Sequence, residues 1–155
     1  KLFLYMNWII LIIVLVVGWF VLSAFLQQMG VKKVAKKATE ISDKLRKLIQ
    51  NKPNFADIDL YSRWLEKINP EQLWIRIMAH STGNKELRGE LVAKLWQACE
   101  AMDRVTKLDH SSKTLITLIH SGAMEFSDIE EAANGRKNLI ALVGQCISDI
   151  QKKIS

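Results

Sequence analysis

Three histidines and two cysteines are the residues of this sequence whose side chains could bind a metal ion or take part in catalysis. None of the histidines is followed, four residues later, by another histidine, a cysteine or a carboxylate, as helical metal sites require. The two cysteines are isolated, which is typical of buried thiols in a reducing compartment. The sequence therefore predicts no metal site and no cofactor. The residues are His80, His110, His120, Cys99 and Cys146.

The residues around His110 are the one stretch of the sequence that suggests a phosphotransfer reaction. The stretch "DHSSKTLITLI" resembles the phospho-acceptor helix of sensor histidine kinases at Lys113 and Thr114. Ser111 replaces the acidic residue that would activate the imidazole, and Leu115 replaces a proline. The chain also lacks a glycine-rich nucleotide motif. A phosphotransfer module is therefore kept only as an alternative.

The acidic residues give no sign of a catalytic pair. Glu125, Asp128, Glu130 and Glu131 cluster where a helix is predicted to begin, and negative charge is favourable there. The nucleophile motif Gly-x-Ser-x-Gly is absent from the sequence. We therefore expect a protein that is not an enzyme.

The amino-terminal stretch is typical of a membrane span. Residues 2–31 contain no charged residue, and residues 8–26 ("WIILIIVLVVGWFVLSAFL") would form a helix of about 28 Å, close to the thickness of the bilayer core. The remaining chain is too short to enclose such a helix, and the apolar stretch is too long for a cleaved signal peptide. Trp8, Trp19 and Leu26 are predicted to mark its outer end, its middle and its inner end.

A strongly basic segment follows the predicted span. Residues 32–52 hold eight Lys or Arg against two acidic residues, and Lys32, Lys33, Lys36 and Lys37 come first. Basic residues at one end of a span are retained inside, which predicts an external amino terminus and a carboxy-terminal domain in the cytoplasm or an organellar matrix. The four lysines are predicted to contact anionic lipid headgroups. No aromatic residue lies within residues 29–50, so nucleic acid is not expected as a partner.

Beneath these charges lies an apolar stripe, which we call the seam. Its spacing alternates steps of three and four, the a/d pattern of a helix that packs against another apolar surface. We expect the seam to bind a partner protein, with a parallel homodimer as the alternative. Pro53 disfavours helix at Lys52 and so predicts its end. The seam comprises Val31, Val34, Ala38, Ile41, Leu45 and Leu48.

The rest of the sequence predicts helices only. Apolar periodicity indicates helices over about 55–68 and 85–106, and a capping box at Ser127 begins a last helix to about 153. Asn69-Pro70 predicts the start of a further helix with Asn69 as its cap. The stretch "KTLITLIH" predicts a short helix, with Asp109 or Ser111 as its cap. The expected fold is all-α, with an anchor (1–30), a basic juxtamembrane helix (31–52) and a bundle of about five helices (53–155).

These patterns together favour a non-enzymatic protein held at a membrane, of the bacterial inner or an organellar inner type. The expected role is a scaffold, accessory or regulatory subunit of a larger membrane complex, and other subunits of that complex are the expected partners. The alternative is a dimeric transmembrane signalling module in which the juxtamembrane helix transmits motion. No residue pattern distinguishes the two.

Overall fold

The structure, a computed structural model, describes the backbone of residues 1–51, 58–122 and 126–155, and side chains in these ranges except those of 110–120 and 126–129. All regular elements in these ranges are helices, as the sequence predicted. They are α1 (Leu2–Gln50), α2 (Ile58–Lys67), α3 (Pro70–His80), α4 (Lys85–His120) and α5 (Phe126–Ile154).

Helix α1 joins the apolar stretch and the basic segment in one element. It runs without a break from Leu2 to Gln50, because this part of the sequence contains no proline and only two glycines. No separate juxtamembrane helix begins at residue 31. The chain divides instead into two compact units, residues 1–33 and 34–155, so the boundary falls within α1.

The first unit is a helix with its apolar side chains exposed. The apolar segment of α1 is the one stretch in the described part of the chain that is long and apolar enough to cross a membrane, and none of it is buried against protein. Trp8, Trp19 and Leu26 are 64%, 72% and 58% exposed. Such a surface is unfavourable in water, since about 25 cal/mol is lost for each Å² of apolar area left exposed.

The second unit encloses an apolar core, which α4 and α5 dominate. Leu91, Leu95 and Met102 of α4 are fully buried, and Val143 and Ile150 of α5 lie in the same core. The two helices are antiparallel, because their polar contacts run in opposite order along the chain. These contacts are Lys153 Nζ to Glu90 (2.5 Å), Lys94 Nζ to Asp149 (2.8 Å), Cys146 Sγ to Gln97 (3.7 Å) and Arg136 Nε to Asp109 (2.7 Å).

Helix α4 differs from the prediction. The sequence suggested one helix ending near residue 106 and a second, short helix from Lys113, whereas the backbone is continuous from Lys85 to His120. Asp109 and Ser111, the proposed caps, are weak helix formers, but neither glycine nor proline interrupts the helix between them and residue 106. Four helices rather than five therefore follow α1 in the described part of the chain.

The turn between α3 and α4 requires a glycine. Gly83 has φ = 80°, a left-handed conformation that residues with a Cβ adopt only at a cost. Beyond it, the Asn84 side chain accepts a hydrogen bond from the backbone N–H of Leu87 at 3.0 Å and so caps α4.

Candidate functional site

Four of the six seam residues lie in the core of the second unit, whereas Val31 belongs to the first unit and is not part of that core. Val34, Ala38, Ile41 and Leu45 are at most 6% exposed and belong to the same apolar cluster as the buried residues of α4 and α5. Leu48 is half-buried against that cluster. The apolar surface that covers these residues is thus provided by the chain itself. Their binding to another protein stays a prediction.

The carboxylate of Asp103, in α4, contacts two lysines of α1. It lies 2.6 Å from Nζ of Lys44 and 3.8 Å from Nζ of Lys37, both on α1, and 2.9 Å from Nζ of Lys107 on its own helix. Its side chain is 17% exposed. Lys37 and Lys44 are seven residues apart, so both lie on the same side of α1. We call this group of four residues the Asp103 cluster.

The lysines of the Asp103 cluster lower the pKa of Asp103. Burial alone would raise the pKa of Asp103, but hydrogen bonds from Lys44 and Lys107, together with the charges of Lys44 and Lys37, lower it further than burial raises it. The resulting pKa is about 2, against an ordinary 3.8. Asp103 is therefore ionised throughout the physiological range, and its bonds to the three lysines are charge-assisted.

A serine of α1 caps the amino terminus of α3. The hydroxyl of Ser42, which is fully buried, accepts a hydrogen bond from the backbone N–H of Glu71 at 3.3 Å and donates one to Oδ1 of Asn69 at 3.4 Å. The sequence correctly predicted that α3 starts at Pro70. It was wrong about the cap, because the Asn69 side chain makes no capping hydrogen bond. Ser42 supplies the oxygen that Asn69 was expected to supply.

The polar contacts of α1 contribute less to its docking than the seam does. Arg46 lies 3.4 Å from Glu71, and both side chains are more than a third exposed. Partly exposed ion pairs of this kind stabilise by about 0–1 kcal/mol each. Burying one Val, Leu or Ile side chain contributes about 1.5–3 kcal/mol. Burial of the apolar residues of α1 therefore stabilises its packing against the bundle more than the ion pairs do. The ion pairs fix the position of α1.

The four lysines predicted to contact lipid do not share one environment. Lys32 and Lys33 are exposed. Lys36 is 80% exposed and lies 3.8 Å from Glu40, one turn along α1. Lys37 is 26% exposed at its side chain and belongs to the Asp103 cluster. Lys37 therefore interacts with a carboxylate of the protein itself, and its contact with lipid stays a prediction.

Of the residues that first suggested chemistry, His80, Cys99 and Cys146 have described side chains. His80 is exposed at the end of α3, whereas the side chains of His110 and His120 lie outside the described residues. Cys99 and Cys146 are free and buried, and burial raises the pKa of Cys99 to about 12, against a smaller opposing effect of Lys37. No group of three potential metal ligands occurs among the residues with described side chains.

Sequence reasoning missed Asp103, Lys44 and Ser42, on which the α1 interface depends. Asp103 follows Met102, a member of an apolar stripe, so an acid beside a buried face was the available signal. Lys44 and Asp103 are 59 residues apart. Their contact depends on how α1 and α4 pack, which no local pattern in the sequence encodes.

The described part of the chain is thus all-helical, with one helix long and apolar enough to span a membrane, and its second unit is a helical domain to whose core residues 34–45 of α1 contribute. A scan against models of protein families, a search of curated proteins and a search of solved structures gave no match.

Proposed function

We propose that this protein is a non-enzymatic, membrane-anchored scaffold, accessory or regulatory subunit of a larger membrane complex. One observation carries the proposal. Helix α1 bears an apolar segment that is not buried by the described part of the chain, and the same helix contributes Val34, Ala38, Ile41 and Leu45 to the core of the helical domain. The proposed anchor and part of the core of the domain thus belong to one helix.

The charge distribution supports a cytoplasmic or matrix location for the helical domain. Seven Lys or Arg and two acidic residues lie within residues 32–47, whereas Lys1 is the one charged residue before the apolar segment. Lys and Arg near a span favour the inner side of the membrane. They also attract anionic headgroups by about 1 kcal/mol for each basic residue at the surface.

The surface of the proposed span is available to other membrane subunits. Its large residues, such as Trp19 and Phe20, are about 70% exposed. The second unit offers less apolar surface, since Ile75 (53%) and Leu142 (43%) are its exposed large apolar side chains in the described part of the chain. Partner subunits are therefore expected to contact the span first.

A photo-crosslinking experiment tests this role. A photoreactive amino acid at Trp19 or at Ile75 is introduced into the full chain in its native membrane, and the crosslinked peptides are identified by mass spectrometry. We expect Trp19 to crosslink to the same one or few membrane proteins in repeated preparations, which also co-purify in mild detergent. Crosslinks to lipid alone, together with a chain that purifies as a monomer, would contradict the proposal.

A transmembrane signalling module is the second candidate, and the uninterrupted helix of α1 favours it. Such a module would be a parallel dimer through the seam. Single cysteines at Val34, Ala38, Ile41 or Leu45 would then form symmetric disulfides. Because these side chains are buried in the core of the domain, symmetric disulfides would require that the seam leaves that core.

A further inference from the structure

The apolar segment of α1 has two different faces. On one of them, isoleucine, valine and alanine recur in alternating steps of four and three residues, the a/d spacing of helices that pack in pairs. Each of these residues has a tryptophan, leucine or isoleucine two positions before it, and two positions are a rotation of about 200° around the helix. The valine face, as we call the first, comprises Ile10, Val14, Val17, Val21 and Ala24, and the tryptophan face on the opposite side comprises Trp8, Ile12, Leu15, Trp19 and Leu22.

The valine face is the side better suited to helix packing. Valine and isoleucine keep one strongly preferred χ1 rotamer in a helix, so they lose little side-chain freedom when another helix packs on them. Short side chains also let two backbones approach closely, and in lipid such packing, rather than the hydrophobic effect, drives the association of helices. The four β-branched side chains of this face are 53–65% exposed, so the described part of the chain does not cover them.

An amide side chain continues the spacing of the valine face at each end. Asn7 lies three residues before Ile10, and Gln28 lies four residues after Ala24. The two amides are three whole heptads apart, which is about 32 Å of helix and close to the thickness of the hydrocarbon core. An amide both donates and accepts hydrogen bonds, so two like amides can pair with each other. A polar residue at an a position also fixes the register of paired helices.

A second copy of the chain presents the matching surface. Copies with the same distribution of Lys and Arg insert in the same direction, so their helices are parallel and residues of the same number lie opposite each other. Asn7 of one copy would then face Asn7 of the other, and Gln28 would face Gln28. We propose that the protein is a parallel dimer whose two spans pack through their valine faces. The amides set the register of the pair, and the tryptophan faces stay available to other membrane subunits.

This dimer differs from the signalling dimer considered above. A dimer through the seam requires that Val34, Ala38, Ile41 and Leu45 leave the core of their own domain, where they are buried. A dimer through the valine face requires no such rearrangement of the core, because its contacts lie within the apolar segment.

This inference rests on the proposed function, since it requires that the apolar segment spans the bilayer. Insertion of the full chain is measured first, by its resistance to extraction from membranes with alkaline carbonate. A chain that is extracted contradicts the proposed anchor and, with it, the dimer. A chain that inserts but does not dimerise contradicts the dimer alone, so the two failures are distinguishable.

Disulfide formation between single cysteines in the membrane tests the pairing. Val17→Cys and Val21→Cys should form symmetric dimers several times faster than Leu15→Cys and Trp19→Cys. The latter two are matched controls, since each lies two residues before its counterpart, at nearly the same depth but on the tryptophan face. The wild type is the blank, because its two native cysteines are free and buried.

Two outcomes of this experiment would overturn the dimer. Equal rates on the valine face and the tryptophan face would show that the spans meet at random, without a preferred side. The absence of disulfides at Val17 and Val21 in an inserted chain would show that lipid or a different protein, rather than a second copy, covers the valine face.

The role of the amides is tested with two neighbouring glutamines. Gln28→Leu should weaken the dimer about threefold, measured by energy transfer between labelled full-length chains in phosphatidylcholine vesicles over a range of protein-to-lipid ratios. Gln27→Leu is the matched control, because it removes the same group at nearly the same depth but about 100° away around the helix. It should leave the dimer unchanged, and equal losses in the two variants would refute the register set by Gln28.

Discussion

The hydroxyl of Tyr61 donates a hydrogen bond to the carboxylate of Asp109, to which Arg136 also donates through two nitrogens at 2.7 and 3.3 Å. These residues belong to α2, α4 and α5, so one carboxylate joins three helices. Tyr61 is fully buried, and the side chain of Asp109 is 11% exposed. The junction therefore depends on polar bonds at the edge of an apolar core.

Replacing Tyr61 with phenylalanine should lower the free energy of unfolding by about 1–2 kcal/mol, because a hydrogen bond to a charged acceptor is lost while Arg136 still satisfies the carboxylate. The measurement is guanidinium unfolding in zwitterionic micelles, followed by tryptophan fluorescence. Tyr5→Phe is the matched control, since Tyr5 is 72% exposed in the apolar segment, and it should have no effect. Equal stability of the two variants would show that the Tyr61 bond contributes nothing.

Asp103 should make the stability depend on acidity. Its pKa is lowered from 3.8 to about 2 in the folded protein, so its contribution is fully present above pH 3.8 and is lost as the pH falls through 2. Asp103→Asn should lower the free energy of unfolding by about 1–2 kcal/mol at pH 7 and by much less at pH 2. Chemical unfolding at several pH values measures the difference.

The control for this measurement is Asp59→Asn, a change of the same type at an exposed site of α2. It should change the stability by less than about 0.5 kcal/mol at either pH. If Asp103→Asn lost as much stability at pH 2 as at pH 7, the lowered pKa of Asp103 would not be the cause.

Ser42→Ala should lower the free energy of unfolding by about 1 kcal/mol, because the backbone N–H of Glu71 would lose its cap. Thr39→Ala serves as the comparison, since the Thr39 hydroxyl bonds to the backbone of its own helix, at Ala35, on an exposed face. Its loss should have little effect. Thermal unfolding followed by circular dichroism would compare the two, and a larger loss in Thr39→Ala would refute the capping role of Ser42.

The sequence was sufficient to predict what depends on neighbouring residues. The spacing of Val34, Ala38, Ile41 and Leu45 indicated a helix with one apolar face, and Pro70 marked the start of α3. The apolar segment indicated one candidate span by its length and lack of charge. These features follow from helical periodicity and from backbone constraints, which act within a few residues.

What the sequence could not provide were the contacts between distant residues. That Ser42 rather than Asn69 caps α3 depends on α1 lying beside the start of α3, at a separation of 29 residues. The continuity of α4 past Asp109 was missed for a related reason. The side chain of Asp109 is occupied by Tyr61 and Arg136, so it does not act as the helix cap that the local sequence suggested.

The opposed order of the contacts between α4 and α5 constrains how the length of this hairpin can change. Deleting one residue between Gln97 and Asp109 would rotate the following part of α4 by about 100° and carry Asp109 away from Arg136. Deleting seven residues from each helix would turn both by nearly two full revolutions and restore the facing sides. The hairpin of α4 and α5 should therefore tolerate insertions or deletions of seven residues only when both helices change by the same length.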